Sequence, residues 1–340
     1  MTENKWYHAL GEQGDIVVST RIRLARNLKD YPFSSRLTVE QREEIGEQIC
    51  GVLSQSQNPV AADLGYFAPG SLSADARRAM AERHLITREF AESGRQRPLL
   101  LSRDESVCLL LCEGDHIRLQ VMAAGLELTK TYQIADALDD IIGEKLAYAF
   151  DEDWGYLTEC PTDLGTAMKA SVLLHLPALE ATDGIQTLAK AVSKIGLTLR
   201  GTFGEGSNVS GSLYQLSNRI TMGIDESSAL ENLRSVTLQV IAQEMDARKN
   251  LSPLQVEDAA YRGLGLLQNA RILPLREFSD SLSHLRLGVS MGLVQGVSIE
   301  TINTLNAQMH PATLLLNHPD ADSTEKRDVI RATLVREQLK

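Results

Sequence analysis

The stretch Ile16-Val17-Val18-Ser19-Thr20-Arg21-Ile22-Arg23-Leu24 combines apolar and basic residues in the alternation that is typical of a β-strand. Residues two apart on a strand point to the same face, so Arg21 and Arg23 would project together, away from the apolar residues beside them. Two guanidinium groups on one face predict a site for a highly charged anion such as a nucleoside triphosphate. For this segment alone, a solvated basic strand at the edge of a sheet is the alternative interpretation.

Three further segments place basic residues beside strand-like or glycine-rich sequence: Asp115 to Arg118 (DHIR), Cys160 to Lys169 (CPTDLGTAMK) and Arg200 to Glu205 (RGTFGE). In the first segment, a regular strand would put the side chains of Cys112, Gly114, His116 and Arg118 on one face. In the second, Cys160 is a candidate reactive thiol, and a small buried apolar residue is the alternative. In the third, glycines would let the backbone approach a ligand closely, and a plain turn is the alternative.

The composition is that of an ordinary globular chain with a formal net charge of -11. Its 340 residues, 43% of them hydrophobic, can bury a sizeable core and predict two domains. The acidic balance argues against general binding of nucleic acids or anionic membranes, which clustered positive charge drives. The first residues lack the apolar core of a signal peptide and no apolar run could span a bilayer, so a cytoplasmic location is predicted. Without CxxC pairing, we expect free thiols and no protein-bound metal site.

Hydrophobic periodicity divides the chain into two regions. From residue 15 to about 226, strand-like runs at 16–24, 106–111, 118–122, 170–176 and 197–202 alternate with helical stretches and glycine-rich turns. From about residue 228 the pattern is helical, with helices predicted at 230–249, 255–270, 275–291, 298–307 and from 324. The prediction is an α+β protein with a mixed domain over residues 1–248 and an all-α domain over residues 249–340.

In their order and spacing, the segments STRIR, DHIR, CPTDLGT and RGT-x-GE resemble the ATP:guanido phosphotransferase (phosphagen kinase) family over roughly residues 15 to 226. This resemblance implies a catalytic domain with a central antiparallel sheet flanked by helices, and the cofactors ATP and Mg²⁺. It also implies a set of ATP-binding residues: Ser19, Thr20, Arg21, Ile22, Arg23, His84, Arg118, Lys169, Ala170, Ser171, Val172, Leu173, Arg200, Gly201, Thr202, Phe203, Gly204 and Glu205.

The same resemblance implies catalytic residues and one missing group. Cys160 would be the reactive cysteine near the substrate guanidinium, and Glu205 a carboxylate that contacts it. The family's NEEDH is Cys112-Glu113-Gly114-Asp115-His116 in this chain, so Gly114 replaces the family's catalytic glutamate. Glu113 is not expected to substitute for it, because adjacent residues of a strand face opposite sides.

Two more departures from the family lie in the segment from Cys160 to Lys169. Asp163 stands where the family has the asparagine of CPTN, and it adds a carboxylate that would help Glu205 with the guanidinium. Lys169 stands where the family has a phosphate-binding arginine. A lysine keeps the positive charge but loses the planar, bidentate fork of a guanidinium.

The C-terminal region, including EDAAYR at 257–262 and LRLG at 285–288, resembles the branch of the family that phosphorylates arginine side chains of proteins. Only 18 residues precede Ser19, where metabolic members carry a helical domain, so we expect an open site and disfavour a kinase for small guanidino compounds. Near the C-terminus, RDVIRA matches the RDxxRA phosphoarginine motif of that branch. We therefore predict four phosphoarginine-binding residues: Arg327, Asp328, Arg331 and Ala332.

The spacing within this motif has a physical interpretation. Arg327 and Arg331 are four residues apart and would share a helix face, where they could clamp a phosphoryl group. Asp328 would be free to meet a guanidinium. A solvated amphipathic helix is the alternative.

Two functions follow from the resemblance. The first is a protein arginine kinase that transfers the γ-phosphate of ATP to accessible arginines, marking proteins for a Clp-type protease or regulating a stress-response repressor. The second is a catalytically impaired pseudokinase that binds nucleotide and phosphoarginine proteins as an adaptor, because Gly114 lacks the family's carboxylate. The resemblance further implies a homodimer formed through the helical domain and a zinc-finger activator protein as partner.

Overall fold

A computed structural model describes residues 5–93, 97–201 and 211–340 of the chain. Its strands are β1 (Val17–Arg26), β2 (Leu64–Phe67), β3 (Leu99–Ser102), β4 (Val107–Glu113), β5 (Asp115–Ala124), β6 (Phe150–Asp151), β7 (Gly155–Tyr156), β8 (Met168–His175), β9 (Leu197–Gly201) and β10 (Leu213–Asn218).

The α-helices lie between these strands and after them. They are α1 (Val39–Gln55), α2 (Pro59–Ala62), α3 (Ala74–Glu82), α4 (Arg88–Glu92), α5 (Leu128–Gly143), α6 (Pro177–Ala181), α7 (Gly184–Lys194), α8 (Glu226–Lys249), α9 (Pro253–Asn269), α10 (Leu275–Ser290), α11 (Ile299–Gln308), α12 (Pro311–Asn317) and α13 (Thr324–Gln338). Short 3₁₀ turns cover Trp6–His8, Ser34–Arg36 and Pro161–Asp163.

Eight strands form one antiparallel sheet in the order β2-β3-β4-β5-β1-β8-β10-β9. The strand β1 is hydrogen-bonded on both sides, to β5 and to β8. Its interpretation as an edge strand is therefore wrong. A basic strand in the middle of a sheet cannot rely on solvent along its length, so its charges need another environment.

One face of the sheet carries the main hydrophobic core. Ile22 and Leu24 of β1 and Val172 of β8 are fully buried there, together with apolar residues of α1, α5 and α8. The helix α1 begins at a capping box, in which Thr38 and Gln41 each bind the other's backbone N–H. Burial of one face of β1 directs its alternate residues, which include Arg21 and Arg23, to the opposite face.

The last five helices, α9 to α13, pack around a second hydrophobic core that includes Phe278, Leu285 and Val335. Where α9 packs against α10, Gly263 and Gly288 lie where an added Cβ would collide with the neighbouring helix. The predicted fold class, an α+β protein with an antiparallel sheet flanked by helices and a helical C-terminal region, is confirmed.

Residues 112 to 118 do not form the regular strand that a shared face of Cys112, Gly114, His116 and Arg118 would require. The strand β4 ends at Glu113 and β5 begins at Asp115, with Glu113 paired directly to Asp115 across a tight turn. Cys112 and Gly114 have positive φ angles of 55° and 72°. Side-chain alternation holds only while the backbone stays extended. It therefore does not determine which way the residues of this turn face.

Candidate active site

Basic side chains from four strands converge on the face of the sheet opposite the main core. Directly paired residues on neighbouring strands put their side chains on the same face. Arg23 pairs with Lys169 on β8 and with Gln120 on β5, and Arg118 lies two residues from Gln120. Arg200 joins the row through its pairing with β10. We call the following residues the cation cluster: Arg21, Arg23, Arg118, Lys169 and Arg200.

Burial and repulsion by neighbouring cations lower the pKa values of three members of this cluster, Arg21, Arg23 and Lys169. Burial, followed by the charge of Arg118, lowers the pKa of Arg21 to about 10. Burial, then Arg21 and Arg118, holds the pKa of Arg23 well below its ordinary value. The pKa of Lys169 is lowered by burial and then by Arg23. Cations that disfavour one another's charge indicate a site for an anion.

The hydrogen bonds of Arg21 and Arg23 differ. Arg21 donates from Nη2 to Oε1 of Gln215 at 2.9 Å. The Nε of Arg23 is buried and has no hydrogen-bond partner among the residues that the structure describes. A buried N–H without an acceptor is unfavourable. An anionic ligand on this face would supply the acceptor.

The segment from Cys160 to Asp163 lies beside the cation cluster. The Asp163 carboxylate opposes the lowering of the pKa values of Arg23 and Lys169, so its charge reaches both. Cys160 is exposed, and its Sγ lies 3.0 Å from Oγ1 of Thr162. The structure thus brings Asp163 to the cations and leaves the Cys160 thiol accessible.

His84 links the cation cluster to a smaller cavity. With Arg21, Arg23 and Arg118 it lines a cavity of about 270 Å³. On its other side it lines a cavity of about 70 Å³ whose walls include Trp6, Tyr7, Ser19, Leu173, Asn303 and His310. Burial, then the charge of Arg21, lowers the pKa of His84 to about 3, so its imidazole is neutral at physiological pH. A neutral ring adds no charge to the cluster.

Four of the predicted ATP-binding residues have side chains on the core face of the sheet, opposite the cation cluster. Thr20, Ile22, Ala170 and Val172 alternate with the cluster residues along β1 and β8 and are buried in the main core. The Thr20 hydroxyl donates to the carbonyl of Gly125 at 2.6 Å. The pleat of a strand sends neighbours to opposite faces, so these four could contact a nucleotide only through the backbone. Ser171 lies on the same face as the cluster, opposite Arg21.

The segment from Arg200 to Glu205 is described only at its start. Arg200 and Gly201 end β9. The predicted site residues Thr202, Phe203, Gly204 and Glu205 lie outside the described residues.

Asp115 and His116 hold the β4–β5 turn in place. The Leu28 backbone N–H donates to Nδ1 of His116 at 2.9 Å, and the ring's Nε2 donates to the carbonyl of Pro32 at 2.8 Å. Asp115 Oδ1 accepts from Asn27 Nδ2 at 2.7 Å and from the Glu159 backbone N–H at 2.9 Å. The Asp115-His116 pair therefore anchors the turn.

A second large cavity, of about 550 Å³, opens beside this turn. Arg118 lines both this cavity and the one at the cation cluster. The walls of the cavity beside the turn also include Glu113, Gly114 and Glu159. The expectation that Glu113 faces away from Gly114 and Arg118 is wrong, because the turn interrupts the strand. The sequence carried no signal for Glu159, whose position depends on contacts distant in the chain.

The RDVIRA segment divides into a buried part and an accessible part. Arg331 is 1% exposed, and it donates to the carbonyls of Met309 at 2.8 Å and Leu273 at 2.7 Å. It also pairs with Asp328, so the prediction that Asp328 is free to meet a guanidinium is wrong. Ala332 is fully buried. Arg327 is half-buried and lines a cavity of about 350 Å³ with Arg78 and Arg88.

Three further observations concern membrane-spanning helices, metal ligands and the cysteines. Within 5–93, 97–201 and 211–340, no helix has the length and apolar character needed to cross a bilayer. Over the same residues, no three or more His, Cys, Asp or Glu side chains gather as metal ligands. All four cysteines are free thiols.

Comparison with known sequences links both halves of the chain to one family. Residues 44–247 match the model of the ATP:guanido phosphotransferase C-terminal catalytic domain, and residues 253–340 match that of the protein-arginine kinase McsB C-terminal domain. The chain is 39% identical over 338 residues to a protein-arginine kinase of Halalkalibacterium halodurans, covering 98% of this chain and 95% of that protein. A protein-arginine kinase of Brevibacillus brevis is 39% identical over 340 residues, covering 99% and 95%.

Solved structures of guanidino kinases share the fold. A duplicated taurocyamine kinase from Schistosoma mansoni, with bound transition state analogue components, matches with a TM-score of 0.60 and 27% identity. The match covers 68% of this chain and 33% of that chain. A lombricine kinase matches with a TM-score of 0.62 over 74% of each chain, and its 19% identity indicates likeness of fold alone.

Proposed function

The chain belongs to the ATP:guanido phosphotransferase family, and from this premise we propose that it is a protein-arginine kinase, which transfers the γ-phosphoryl group of ATP to arginine side chains of proteins. The observation that carries the proposal is the cation cluster. It gathers arginines and a lysine from four strands, and it leaves the buried Nε of Arg23 without an acceptor among the described residues. A triphosphate would supply both the negative charge and the acceptor.

The nucleotide is expected to extend from the cation cluster towards His84. Its phosphates would contact Arg21, Arg23 and Arg118, and its base would enter the small cavity on the far side of the neutral His84 ring. Mg²⁺ enters as part of the MgATP substrate, because this ion keeps several waters and is commonly held through substrate phosphates. Lys169 supplies charge to the phosphates without the bidentate fork of arginine.

The reaction needs a carboxylate as well as cations. A free guanidinium has a pKa above about 12 and is a poor nucleophile until a carboxylate orients it and accepts a proton. The cations then stabilise the transferring phosphoryl group, mainly by positioning and electrostatics. We propose that Cys160 and Asp163 act beside the guanidinium, together with Glu205, which lies outside the described residues.

The specific observation in favour of a second function is the backbone at Gly114. A Cβ added there would lie 3.9 Å from Nη2 of Arg118, so the position faces the cation cluster yet carries no carboxylate. A pseudokinase would retain nucleotide binding through the cluster without transferring the phosphoryl group. It would then act as an adaptor for phosphoarginine proteins.

The second domain is proposed to bind phosphoarginine. We assign residues 1–248 to catalysis, and residues 249–340 to dimerisation, substrate contact and phosphoarginine binding. Arg327 supports this assignment, because it shares its cavity with Arg78 and Arg88 and so offers several guanidinium groups to one phosphoryl group. Arg331, Asp328 and Ala332 would support that site from within the fold.

The cellular setting is proposed from resemblance alone. It comprises a cytoplasmic homodimer, activation by a zinc-finger protein, and phosphorylation that directs proteins to a Clp-type protease or regulates a stress-response repressor.

Mass spectrometry for phosphoarginine tests the kinase against the pseudokinase. The protein is incubated with MgATP and an unstructured protein substrate, and is analysed under non-acidic conditions beside Gly114→Glu and Glu205→Ala. Phosphoarginine formed by the unmodified protein and lost in Glu205→Ala supports the kinase. Phosphoarginine formed only by Gly114→Glu supports the pseudokinase.

A further inference from the structure

The cavity beside the β4–β5 turn combines carboxylates from three separate elements. Its walls include Glu89 of α4, Glu113 at the end of β4, and Glu159, which directly precedes Cys160. Arg42 and Arg97 line it too, so it is not a simple acidic surface. Through Arg118 it adjoins the cavity of the cation cluster. Carboxylates beside a basic cavity offer the acceptors that a guanidinium next to a triphosphate requires.

Glu113 is placed in this cavity by the geometry of the turn. The positive φ angles of Cys112 and Gly114 on either side of it break the alternation of the strand. The Glu113 residue is 8% exposed. Its Oε2 forms a 4.0 Å ion pair with Nε of Arg97, a distance that is too long for a hydrogen bond. The carboxylate therefore keeps acceptor capacity for a ligand.

Glu159 is fixed on the neighbouring segment. Its backbone N–H donates to Oδ1 of Asp115 at 2.9 Å, and Asp115 in turn accepts from Asn27 on the segment that follows β1. The same Asp115 pairs with Glu113 at the turn. One buried aspartate thus ties together the two segments that carry Glu113 and Glu159.

A buried hydroxyl gives independent evidence for a ligand in this cavity. Ser34 is 4% exposed and lines the cavity. Its Oγ has no hydrogen-bond partner among the described residues. A buried hydroxyl without a partner is unfavourable, and a guanidinium has five N–H donors that could satisfy it.

We propose that Glu113 performs the carboxylate function absent at Gly114, and that Glu159 binds the same substrate guanidinium from the neighbouring segment. This inference rests on the proposed kinase function. Glu113 accepts the proton of the attacking Nη as the N–P bond to the γ-phosphorus forms. The bond from that phosphorus to the β–γ bridging oxygen breaks, its electron pair leaves with ADP, and the proton passes from Glu113 to solvent.

Steady-state kinetics on Glu113→Gln and Glu159→Gln test the proposal, with Glu152→Gln on the exposed β6–β7 turn as the matched control. We expect Glu113→Gln to lower kcat by about 10²- to 10⁴-fold, the usual cost of losing a positioned acid or base. The dissociation constant for MgATP should stay within about twofold, because the phosphates are proposed to bind at the cation cluster and not at Glu113. Glu159→Gln should mainly raise KM for the protein substrate, and Glu152→Gln should leave all three values unchanged.

Second-site rescue separates a catalytic from a structural role. Adding Gly114→Glu to Glu113→Gln should restore kcat at least tenfold, since it returns a carboxylate beside Arg118. An active unmodified protein whose Glu113→Gln variant keeps kcat within about threefold would overturn this inference and leave the kinase proposal intact. Loss of MgATP binding in Glu113→Gln would also overturn it, because the role would then be structural. An unmodified protein that binds MgATP but forms no phosphoarginine would instead overturn the kinase proposal, and this inference with it.

Discussion

At the scale of single residues, the hydrogen-bond partners of a buried arginine indicate whether it can bind a ligand. Arg23 has a lowered pKa, repelling neighbours and a buried Nε without an acceptor among the described residues. Such a charge is costly to the unliganded fold. Arg331, in contrast, is buried with backbone carbonyls and Asp328 around it. An arginine side chain therefore indicates an anion site at position 23 and has a structural role at position 331.

Replacing Arg23 by alanine should weaken MgATP binding by roughly 10- to 100-fold, since a hydrogen bond to a charged group contributes about 1.5–3 kcal/mol. The unliganded variant should be no less stable than the unmodified protein, because it removes a cation that neighbouring cations repel and a buried N–H without an acceptor. Isothermal titration calorimetry and thermal unfolding measure the two effects. Arg103→Ala, which removes a side chain that is 79% exposed, is the control. Unchanged MgATP affinity in Arg23→Ala would exclude its contact with the phosphates.

The two arginines of the RDVIRA segment should respond differently to alanine. Arg331→Ala removes a partner of two buried carbonyls and of Asp328, so we expect a loss of stability of about 3–5 kcal/mol. Arg327→Ala should leave stability nearly unchanged and weaken binding of a phosphoarginine peptide about tenfold or more. Urea unfolding and fluorescence anisotropy measure these changes. Equal peptide affinity in Arg327→Ala and the unmodified protein would remove the support for this site.

At the scale of elements, local geometry decides what an amino-acid pattern means. On a regular strand the residues CEGDH would alternate sides, but on the turn Cys112, Glu113 and Gly114 line one cavity. Helix packing gives a second example. Gly263 and Gly265 both lie in α9, yet an added Cβ at Gly263 would lie 2.8 Å from the carbonyl oxygen of Ser281, whereas Gly265 has open space.

The glycines of α9 and α10 should therefore respond in opposite ways to alanine. Gly288→Ala places a methyl group against Ala260 and should destabilise the protein by about 1–3 kcal/mol, the usual cost of overpacking. Gly265→Ala meets nothing and should stabilise it by up to about 1 kcal/mol through helix propensity. Urea unfolding of the two variants provides the comparison. Equal effects would contradict the close contact of α9 with α10.

At the scale of the whole molecule, polar contacts join the helical C-terminal region to the part of the chain that carries the sheet. The His175 ring at the end of β8 is hydrogen-bonded through Nε2 to the Ser283 hydroxyl of α10 at 2.8 Å. Arg286, also on α10, donates to the carbonyl of Gly14 at 2.7 Å. The Glu82 carboxylate accepts the backbone N–H groups of Ala312 and Thr313 at the start of α12. These contacts predict that the two regions unfold together.

Acid should weaken this junction. Burial, followed by the charges of Arg286 and Arg248, holds the pKa of His175 well below its ordinary value of 6.5. The folded protein keeps the ring neutral, whereas the unfolded chain takes up a proton below about pH 6.5. The unfolded state then binds more protons, so the free energy of unfolding should fall by up to about 2 kcal/mol between pH 7 and pH 5 from this group.

The variant His175→Gln keeps a hydrogen-bonding side chain but cannot titrate. It should therefore show a smaller loss of stability than the unmodified protein over the same pH range. Urea unfolding at both pH values measures the difference, with His318→Gln as the control. An identical pH dependence in His175→Gln and the unmodified protein would mean that His175 does not titrate on unfolding.

Local sequence determined the elements whose pattern depends on near neighbours. The strand around Arg21 and Arg23 and the helices from α8 to α11 were predictable, because side-chain periodicity is set within a few residues. The short strands β2, β3 and β10 were not identified, since four to six residues carry little periodic signal.

Only the tertiary structure decided which residues share a site. Alternation on β1 by itself put only Arg21 and Arg23 on one face, and Arg118 was added to them by the family resemblance. The positions of Glu113, Glu159 and Ser34 depend on a turn with positive φ angles and on hydrogen bonds between segments distant in the chain. The burial of Arg331 depends on carbonyls of two other segments. Long-range packing leaves no periodic trace in the local sequence, so these assignments required the folded molecule.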